Sequence, residues 1–386
     1  MTAAPTESPV PAAPGPREVV ATRIVFFIAG FAVSAWAPLI PFAKHRLALD
    51  DGQLGLMLLC LGVGSVLMMP LAGGLAARFG CRRTLLVAGA TLCLCMPALM
   101  LAPGIAAMAL VLAVFGASLG VLDVVVNVQA VIVERASGRA MMSGFHGLYS
   151  VGGIAGAGGV AGALALGASP LLAIGATASI AMLLLVASRR GLLAYGGDAD
   201  HPAFVPPRGR VLLIGAVCFA MFLCEGAVLD WSAVFLTSVR NADPATAGFG
   251  YVAFAVTMTI GRLTGDRIVQ ALGAFRVVLC GALVAAAGFT LAILAPSPLA
   301  GLAGFALVGA GAANVVPVMF SAAGRQRSMP THLAVAAVTT MGYAGVLLGP
   351  AALGFIAKFT SLAAALGLLV VLLVAVASVA RAATRD

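Results

Sequence analysis

Charged residues are scarce in this chain of 386 residues. Asp, Glu, Lys and Arg make up only 9% of the sequence, while 62% of the residues are hydrophobic; an ordinary soluble domain carries roughly 25% charged residues. So few charged residues cannot form the water-exposed surface of a folded soluble domain. A disordered chain, in turn, requires low hydrophobicity with high charge. A soluble enzyme and a disordered protein are therefore both excluded, and lipid remains as the solvent.

Motifs that carry chemistry are also missing. The sequence has no GxxxxGK[ST] phosphate loop, no HExxH and no CxxC pair, and its seven cysteines lie mostly inside apolar runs. Those cysteines are predicted to fill the core rather than to bind a metal. We expect no enzyme and no cofactor, with the proton gradient as the energy source in place of ATP.

Long apolar runs, rather than alternating ones, favour membrane helices over a barrel. They predict an all-α polytopic membrane protein with twelve transmembrane helices. The approximate spans are 21–42, 53–77, 84–102, 105–133, 141–167, 169–188, 211–238, 245–270, 275–294, 297–323, 332–357 and 361–380.

The basic residues divide unequally between the two ends of these spans. One side collects 18 arginines, Arg262 being counted among them, and the other side only Lys44, Arg46, Arg240 and Lys358. By the positive-inside rule, both termini are predicted to be cytoplasmic, in a bacterial-type inner membrane. Topology thus explains the net charge of +9, and no nucleic-acid partner is expected.

One internal polar stretch divides the spans into two sets of six. We predict a disordered N-terminal tail at 1–18, a six-helix bundle at 19–188, a cytoplasmic linker at 189–210, a second bundle at 211–381 and a C-terminal tail at 382–386. Trp36 and Trp231 occupy equivalent places in the two halves, at an offset of 195 residues. Two pseudo-symmetric bundles of this kind would hold a binding site at the midplane between them.

The loop after the second span carries the sequence GGLAARFGCRR at 73–83, and a looser copy, GRLTGDR, follows at 261–267. These segments resemble the signature of the major facilitator superfamily, G-x-L-a-D-R-x-G-R-R, and the resemblance implies that fold with alternating access in a monomer. The signature aspartate is Ala77 in the first copy. The resemblance implies a cytoplasmic gate formed by Arg78, Arg82, Glu134, Asp266 and Arg267.

Four further segments are similar to the fucose-permease and MosC-like branch of the superfamily. They are DVVVN at 123–127, FHGLYS at 145–150, CEGAVLDWS at 224–232 and NVVPVMFS at 314–321. This likeness implies a small polar solute such as a sugar, polyol or amino-polyol.

Acids inside membrane spans identify candidate functional positions independently of any family. An ionisable side chain at the centre of a membrane helix costs roughly 2.5 to 3.5 kcal/mol, so its presence predicts function. Asp123, Glu225 and Asp230 meet this criterion and are the predicted proton-coupling residues. Glu225 and Asp230, five residues apart, point roughly 140° apart, so Glu225 is the better candidate for a central site.

Asn127 lies four residues after Asp123, on the same helix face. The predicted substrate-binding residues are Trp36, Asp123, Asn127, His146, Glu225, Trp231 and Asn314. Structural alternatives stay open: hydrogen-bonded packing for Asp123, Glu134 and His146, and anchoring at the membrane interface for the tryptophans.

The sequence therefore predicts a proton-coupled secondary transporter of a small polar solute. Two alternatives remain open at this point. One is a proton antiporter that exports amphipathic compounds or metabolites, and the other is a non-transporting receptor built on the same fold.

Overall fold

A computed structural model describes residues 14–49, 51–197, 205–242 and 249–385. Within these residues the chain is helical, with no strand, which confirms the predicted all-α class. Most of the predicted N-terminal tail (1–13), part of the predicted linker (198–204) and the last residue lie outside the described residues.

The first half contains six helices in the residues described. They are α1 (Pro16–Trp36), α2 (Ile40–Arg46), α3 (Asp51–Leu101), α4 (Ile105–Ser137), α5 (Met142–Ala165) and α6 (Pro170–Ser188). One 3-10 turn, Ala37–Leu39, joins α1 to α2, and another, Arg189–Gly191, follows α6.

The second half contains seven helices in the part of the chain described. They are α7 (Gly209–Arg240), α8 (Phe249–Leu272), α9 (Ala274–Leu294), α10 (Pro298–Ala312), α11 (Val315–Arg325), α12 (Thr331–Phe359) and α13 (Leu362–Thr384).

Local sequence sets several of these helix ends. Ser169 and Ser297 each accept a backbone N–H bond of 3.2 Å from the residue three positions on, and a proline follows each serine at the first helical position. Serine caps and an N1 proline are the favoured start of a helix. Gly138 and Asn241 end α4 and α7 in the left-handed region, at φ 64° and 52°.

Helix α3 is two helices joined by a sharp turn at Gly80. This glycine has φ 79° and ψ 156°, a conformation that a side chain would strain. The turn lies between the predicted spans 53–77 and 84–102, so α3 crosses the membrane twice.

Ten helical stretches among the described residues are long and apolar enough to cross a membrane. One of them, of 43 residues, contains the Gly80 turn and therefore counts as two, and α8 is not among the ten. The helices are thus consistent with the predicted twelve spans.

The two halves pack in equivalent ways. Helix α1 packs on α5 in the first half and α7 on α12 in the second, while α5 meets α8 and α3 meets α12 between the halves. Gly152 and Gly156 of α5 bring its backbone against the carbonyl groups of Phe27 and Phe31 in α1, as small residues do in membrane helix pairs. The central site lies between the two halves.

Candidate functional site

A cavity of about 400 Å³ lies between the two halves of the molecule. Helices of both halves contribute polar side chains to its lining: Asp123, Asn127, His146, Tyr149, Glu225, Tyr251, Arg262 and Tyr343. Four residues predicted for the site from sequence, Asp123, Asn127, His146 and Glu225, are thus brought together. A cavity at the interface of two repeats is where a transporter of this architecture binds its solute.

Helix α4 supplies one wall of this central cavity through Asp123 and Asn127. The Asn127 amide nitrogen donates a 2.9 Å bond to the backbone carbonyl of Asp123, one helical turn earlier. This bond orients the amide, and its oxygen is buried without a hydrogen-bond partner among the described residues. The Asp123 side chain is buried as well and forms no ion pair in the part of the chain described. This wall therefore combines a buried carboxyl group with a buried acceptor oxygen that has no hydrogen-bond partner among the described residues.

His146 lies beside this wall, near the start of α5. Its ring packs between Phe26 and Phe320, with ring centroids 5.2 and 5.4 Å away, so contacts from both halves fix its orientation. The Nε2 atom is buried and has no hydrogen-bond partner among the described residues. A buried polar atom without a partner costs roughly 1–3 kcal/mol, which a bound ligand or water would offset.

Arg262 of α8 forms the opposite wall together with Glu225 of α7. One guanidinium nitrogen lies 3.1 and 3.4 Å from the two oxygens of Glu225. The other terminal nitrogen donates to Ser150 Oγ at 3.3 Å, and Nε to the Ala313 carbonyl at 3.4 Å. Because Ser150 belongs to α5, this one side chain connects the two halves at the level of the cavity.

The charges of the cavity do not balance. Within the described lining, the Arg262 guanidinium neutralises Glu225, and the Asp123 carboxyl group has no basic partner. A lone carboxylate in a poorly hydrated site is stabilised by taking up a proton or by a cationic group. The cavity can therefore exchange one positive charge, as a proton or as part of a solute.

The sequence prediction was wrong about Arg262, which it counted among the basic residues at the cytoplasmic ends of the spans. The structure places its side chain, 9% exposed, inside the central cavity, so seventeen arginines remain on that side. The predicted span 245–270 already contained the residue, eight positions or about 12 Å from its end. That distance from the end of the span indicated a position inside the membrane and not in a loop.

Four other predicted residues lie outside the lining of the cavity. Asn314 sits at the break between α10 and α11 and donates a 3.1 Å bond to the Gly261 carbonyl. Trp36 is buried at the end of α1, and Trp231 packs against Gly354 of α12. Asp230, predicted for proton coupling, is exposed on α7 and does not share the cavity with Glu225. The central cavity is thus lined by four of the seven predicted substrate-binding residues.

In the part of the chain described, Arg240, at the end of α7, forms its contacts with α9 and not with Asp230. Its guanidinium donates to the carbonyl groups of Ala292 and Ile293 at the end of α9 and lies 5.1 Å from the ring of Phe235. No ion pair between Arg240 and Asp230 occurs among the described residues. A guanidinium near the carbonyl end of a helix is favoured by the helix dipole.

Two carboxylates lie at the end of the molecule that carries the chain termini, and one of them, Asp266, joins the two halves. Asp266 of α8 accepts the Gly144 backbone N–H at 3.1 and 3.2 Å, across the two halves. Glu134 accepts the N–H groups of Met141 and Met142, both at 2.8 Å. Both acids therefore lie at the N-terminus of α5, where the helix dipole favours an anion.

The first-half copy of the signature has Ala77 in place of the aspartate, and it contacts the segment of the chain that follows α6. Residues 192–197, here called the linker segment, fold back onto the turn at Gly80. Arg82 donates from Nε to the Leu192 carbonyl at 2.8 Å and from its backbone N–H to the Leu193 carbonyl at 2.7 Å. The Leu193 N–H in turn donates to Gln129 Oε1 at 3.1 Å.

The linker segment also reaches the second half. Gly196 lies against the Ala76 carbonyl, and Gly197 lies against the ring of His332 in α12. Contacts of the linker segment thus join the two halves beside the position where the signature aspartate is absent. Arg78 and Arg267, also predicted for the gate, are exposed, and Arg78 stacks on Phe79 with 5.3 Å to the ring centroid.

A larger groove of about 490 Å³ lies between the two arms of α3 and α4. Its lining is mostly apolar, and Val87 within it is 68% exposed. An exposed apolar groove of this kind suits contact with lipid acyl chains, and none of the residues predicted for binding lines it.

Comparisons with known proteins agree with this architecture. Residues 23–241 match the sequence model of the Major Facilitator Superfamily. An MFS-type transporter of Yersinia pestis is 57% identical over 373 residues, which cover 96% of this chain and 97% of the relative. Membrane protein MosC of Rhizobium meliloti is 32% identical over 354 residues, covering 90% of this chain and 86% of MosC. The chain belongs to the major facilitator superfamily, and it is a membrane transporter of that fold.

Solved structures of the superfamily share the fold at low sequence identity. FucP in the outward conformation superposes with a TM-score of 0.78 at 15% identity, over 95% of this chain and 99% of FucP. The proton:xylose symporter XylE, bound to 6-bromo-6-deoxy-D-glucose, gives 0.72 at 13% identity, over 96% and 95% of the two chains. These structures confirm the predicted fold, and the family model with the two relatives confirms the predicted superfamily.

Proposed function

We propose that this transporter is a proton-coupled symporter of a small polyhydroxylated solute, neutral or carrying one ammonium group. The single observation that carries the proposal is the unpaired Asp123 carboxyl group in the central cavity. A fixed pair such as Glu225 and Arg262 has no net charge to exchange, whereas an unpaired buried acid has one. Protonation of Asp123 therefore couples the solute to the proton gradient.

The polar atoms around Asp123 favour a solute with hydroxyl groups. Asn127 Oδ1 and His146 Nε2 are buried without partners in the described residues, and hydroxyl groups, which both donate and accept, can satisfy them. Tyr149, Tyr251 and Tyr343 add aromatic faces and further hydroxyl groups. An anionic solute is disfavoured because it would be placed next to Asp123.

Transport proceeds in this proposal by rocking of the two halves about the cavity. The contacts of Asp266 with Gly144 and of the linker segment with α12 close the end that carries the termini, and the solute enters from the opposite end. We propose that the termini are cytoplasmic, that the protein works as a monomer in a bacterial-type inner membrane, and that it uses no cofactor.

The test begins with the solute. A thermal-shift screen of sugars, polyols and amino-polyols on the purified protein identifies a ligand, and proteoliposomes with an internal pH dye then measure solute flux and proton uptake together. We expect Asp123→Asn to abolish proton uptake driven by the solute. Glu18→Gln, which alters a carboxyl group at the start of α1 away from the central cavity, should leave proton uptake unchanged.

Flux that is independent of pH and undiminished in both Asp123→Asn and Glu225→Gln would overturn proton coupling at this site. Binding without flux would favour the receptor, and proton-driven export of varied amphipathic compounds would favour the antiporter.

A further inference from the structure

A second polar cavity lies at the end of the molecule that carries the chain termini. Its volume is about 360 Å³, and it is separate in its lining from the central cavity. The end of α4 and the turn into α5 line it from the first half, and α8, α9 and α11 line it from the second. A cavity built from both halves changes shape whenever the halves move relative to each other.

The lining of this terminal cavity is strongly basic. Arg135, Arg139 and Arg325 contribute guanidinium groups, and Glu134 is the acid among the described lining residues. One Glu134 oxygen is already engaged by the backbone N–H groups of Met141 and Met142. Positive charge therefore exceeds negative charge in a cleft, where the surrounding protein focuses the field on an incoming anion.

The three guanidinium groups are not equally committed to the protein. Arg135 donates to the Gly324 carbonyl at 3.1 Å and to Thr331 Oγ1 at 3.4 Å, both in the second half. The guanidinium of Arg139 is exposed and makes no hydrogen bond or ion pair to the described residues. Arg139 is therefore the side chain best placed to bind a ligand, since a guanidinium binds phosphate or carboxylate through paired N–H groups.

The start of α9 adds a second feature that favours an anion. Its first residue, Ala274, lines the cavity. Gly273, with φ 77°, caps the helix without a side chain, and the first turn contains no acid. The N–H groups and dipole of an uncapped first turn attract negative charge, and they act here together with the arginines.

We propose that the terminal cavity binds an anion bearing phosphate or carboxylate groups, and that this binding favours the conformation in which the halves meet at the termini. A ligand held by Arg139 of the first half and by the first turn of α9 in the second half loses contacts when the halves separate. Because it binds one conformation better than the other, it shifts the population toward that conformation. The anion therefore slows transport, and this inhibition does not depend on which solute is transported.

Binding can be measured on the purified full chain with inorganic pyrophosphate as the probe. We expect pyrophosphate to raise the melting temperature in neutral detergent, and Arg139→Gln to weaken the apparent affinity about tenfold, as expected for one lost charge-assisted hydrogen bond. Arg381→Gln removes an exposed arginine of α13 that lies outside the cavity and should leave the affinity unchanged.

A parallel arm compares vesicles of phosphatidylcholine alone with vesicles that also contain phosphatidylglycerol. An effect of pyrophosphate in detergent identifies a free anion as the ligand, while an effect of phosphatidylglycerol alone identifies a lipid headgroup. Equal affinity in the wild type and Arg139→Gln, equal losses in Arg139→Gln and Arg381→Gln, or no response to either probe would overturn the site.

The proposed shift of conformation is measured separately from anion binding. Hydrogen–deuterium exchange with saturating pyrophosphate should slow at residues 141–144, which lie outside the lining of the terminal cavity and include the Gly144 contact with Asp266, and Arg139→Gln should remove this protection. Exchange that slows only at the first turn of α9 and at residues 138–140, which line the cavity, would refute the effect on conformation, because it would show binding without closure.

Discussion

Replacing Arg262 with methionine would leave the Glu225 carboxylate buried without its guanidinium partner. The two side chains are 9% and 18% exposed, and the shortest distance between their charged atoms is 3.1 Å. Removing one partner of a buried ion pair costs about 3–5 kcal/mol. Because Glu225 also faces a cavity that water can enter, we expect the lower end, about 3 kcal/mol.

The double variant Arg262→Met with Glu225→Gln separates this explanation from simple loss of packing. Since it contains no unpaired charge, it should be more stable than Arg262→Met alone by about 1–2 kcal/mol, although it carries one more substitution. Arg381→Met, at an exposed position, is the matched control and should be nearly neutral.

The assay is equilibrium unfolding in mixed micelles with increasing sodium dodecyl sulfate, followed by the fluorescence of the two tryptophans. The reasoning is refuted if the double variant is less stable than Arg262→Met, because the effect of Arg262 would then arise from its contacts with Ser150 and Ala313.

Three further predictions concern the closed end and the helix packing. Asp266→Asn removes a charge from the α5 N-terminus, worth about 1 kcal/mol, so a cysteine at Ser143, which is 1% exposed, should react with maleimide about fivefold faster. An unchanged rate would show that the bond between Asp266 and Gly144 does not hold the two halves together at this end. Gln129→Leu leaves the Leu193 N–H without its acceptor, which costs about 1–3 kcal/mol, and should therefore speed tryptic cleavage near the linker segment. Unaltered cleavage would show that the bond from Leu193 to Gln129 does not hold the linker segment in place. Gly156→Ala, whose new methyl group would meet the Phe31 carbonyl, should destabilise by about 1–3 kcal/mol in the same unfolding assay, while Gly158→Ala, with open space around it, should not; equal effects would contradict close packing of α1 on α5.

The candidate site shows which parts of such a protein can be predicted from local sequence. Asp123 and Asn127 share a face because four residues make about one helical turn, and Glu225 and Asp230 diverge for the same reason. The structure bears out both relations: Asp123, Asn127 and Glu225 line the central cavity, and Asp230 does not. Spacing within one helix was sufficient because helix geometry is regular.

Arg262 could not be assigned in this way. Its neighbours in sequence, in the GRLTGDR segment, suggested a base at the end of a span. Its partners are Glu225, 37 residues away, and Ser150, 112 residues away. Only the packing of α8 against α5 and α7 brings these side chains together.

The sequence by itself determined that the chain is a helical membrane protein with repeated halves, because hydropathy, charge placement and helix periodicity act over a few residues at a time. The tertiary structure decided which polar groups are satisfied and which face a cavity. It placed Asp266 on the α5 N-terminus, 122 residues away, put the linker segment beside Ala77, and left Asp123 without a basic partner in the residues described. Burial and pairing depend on contacts between distant helices, and for that reason the charge balance of the central cavity emerged only when the two halves were packed together.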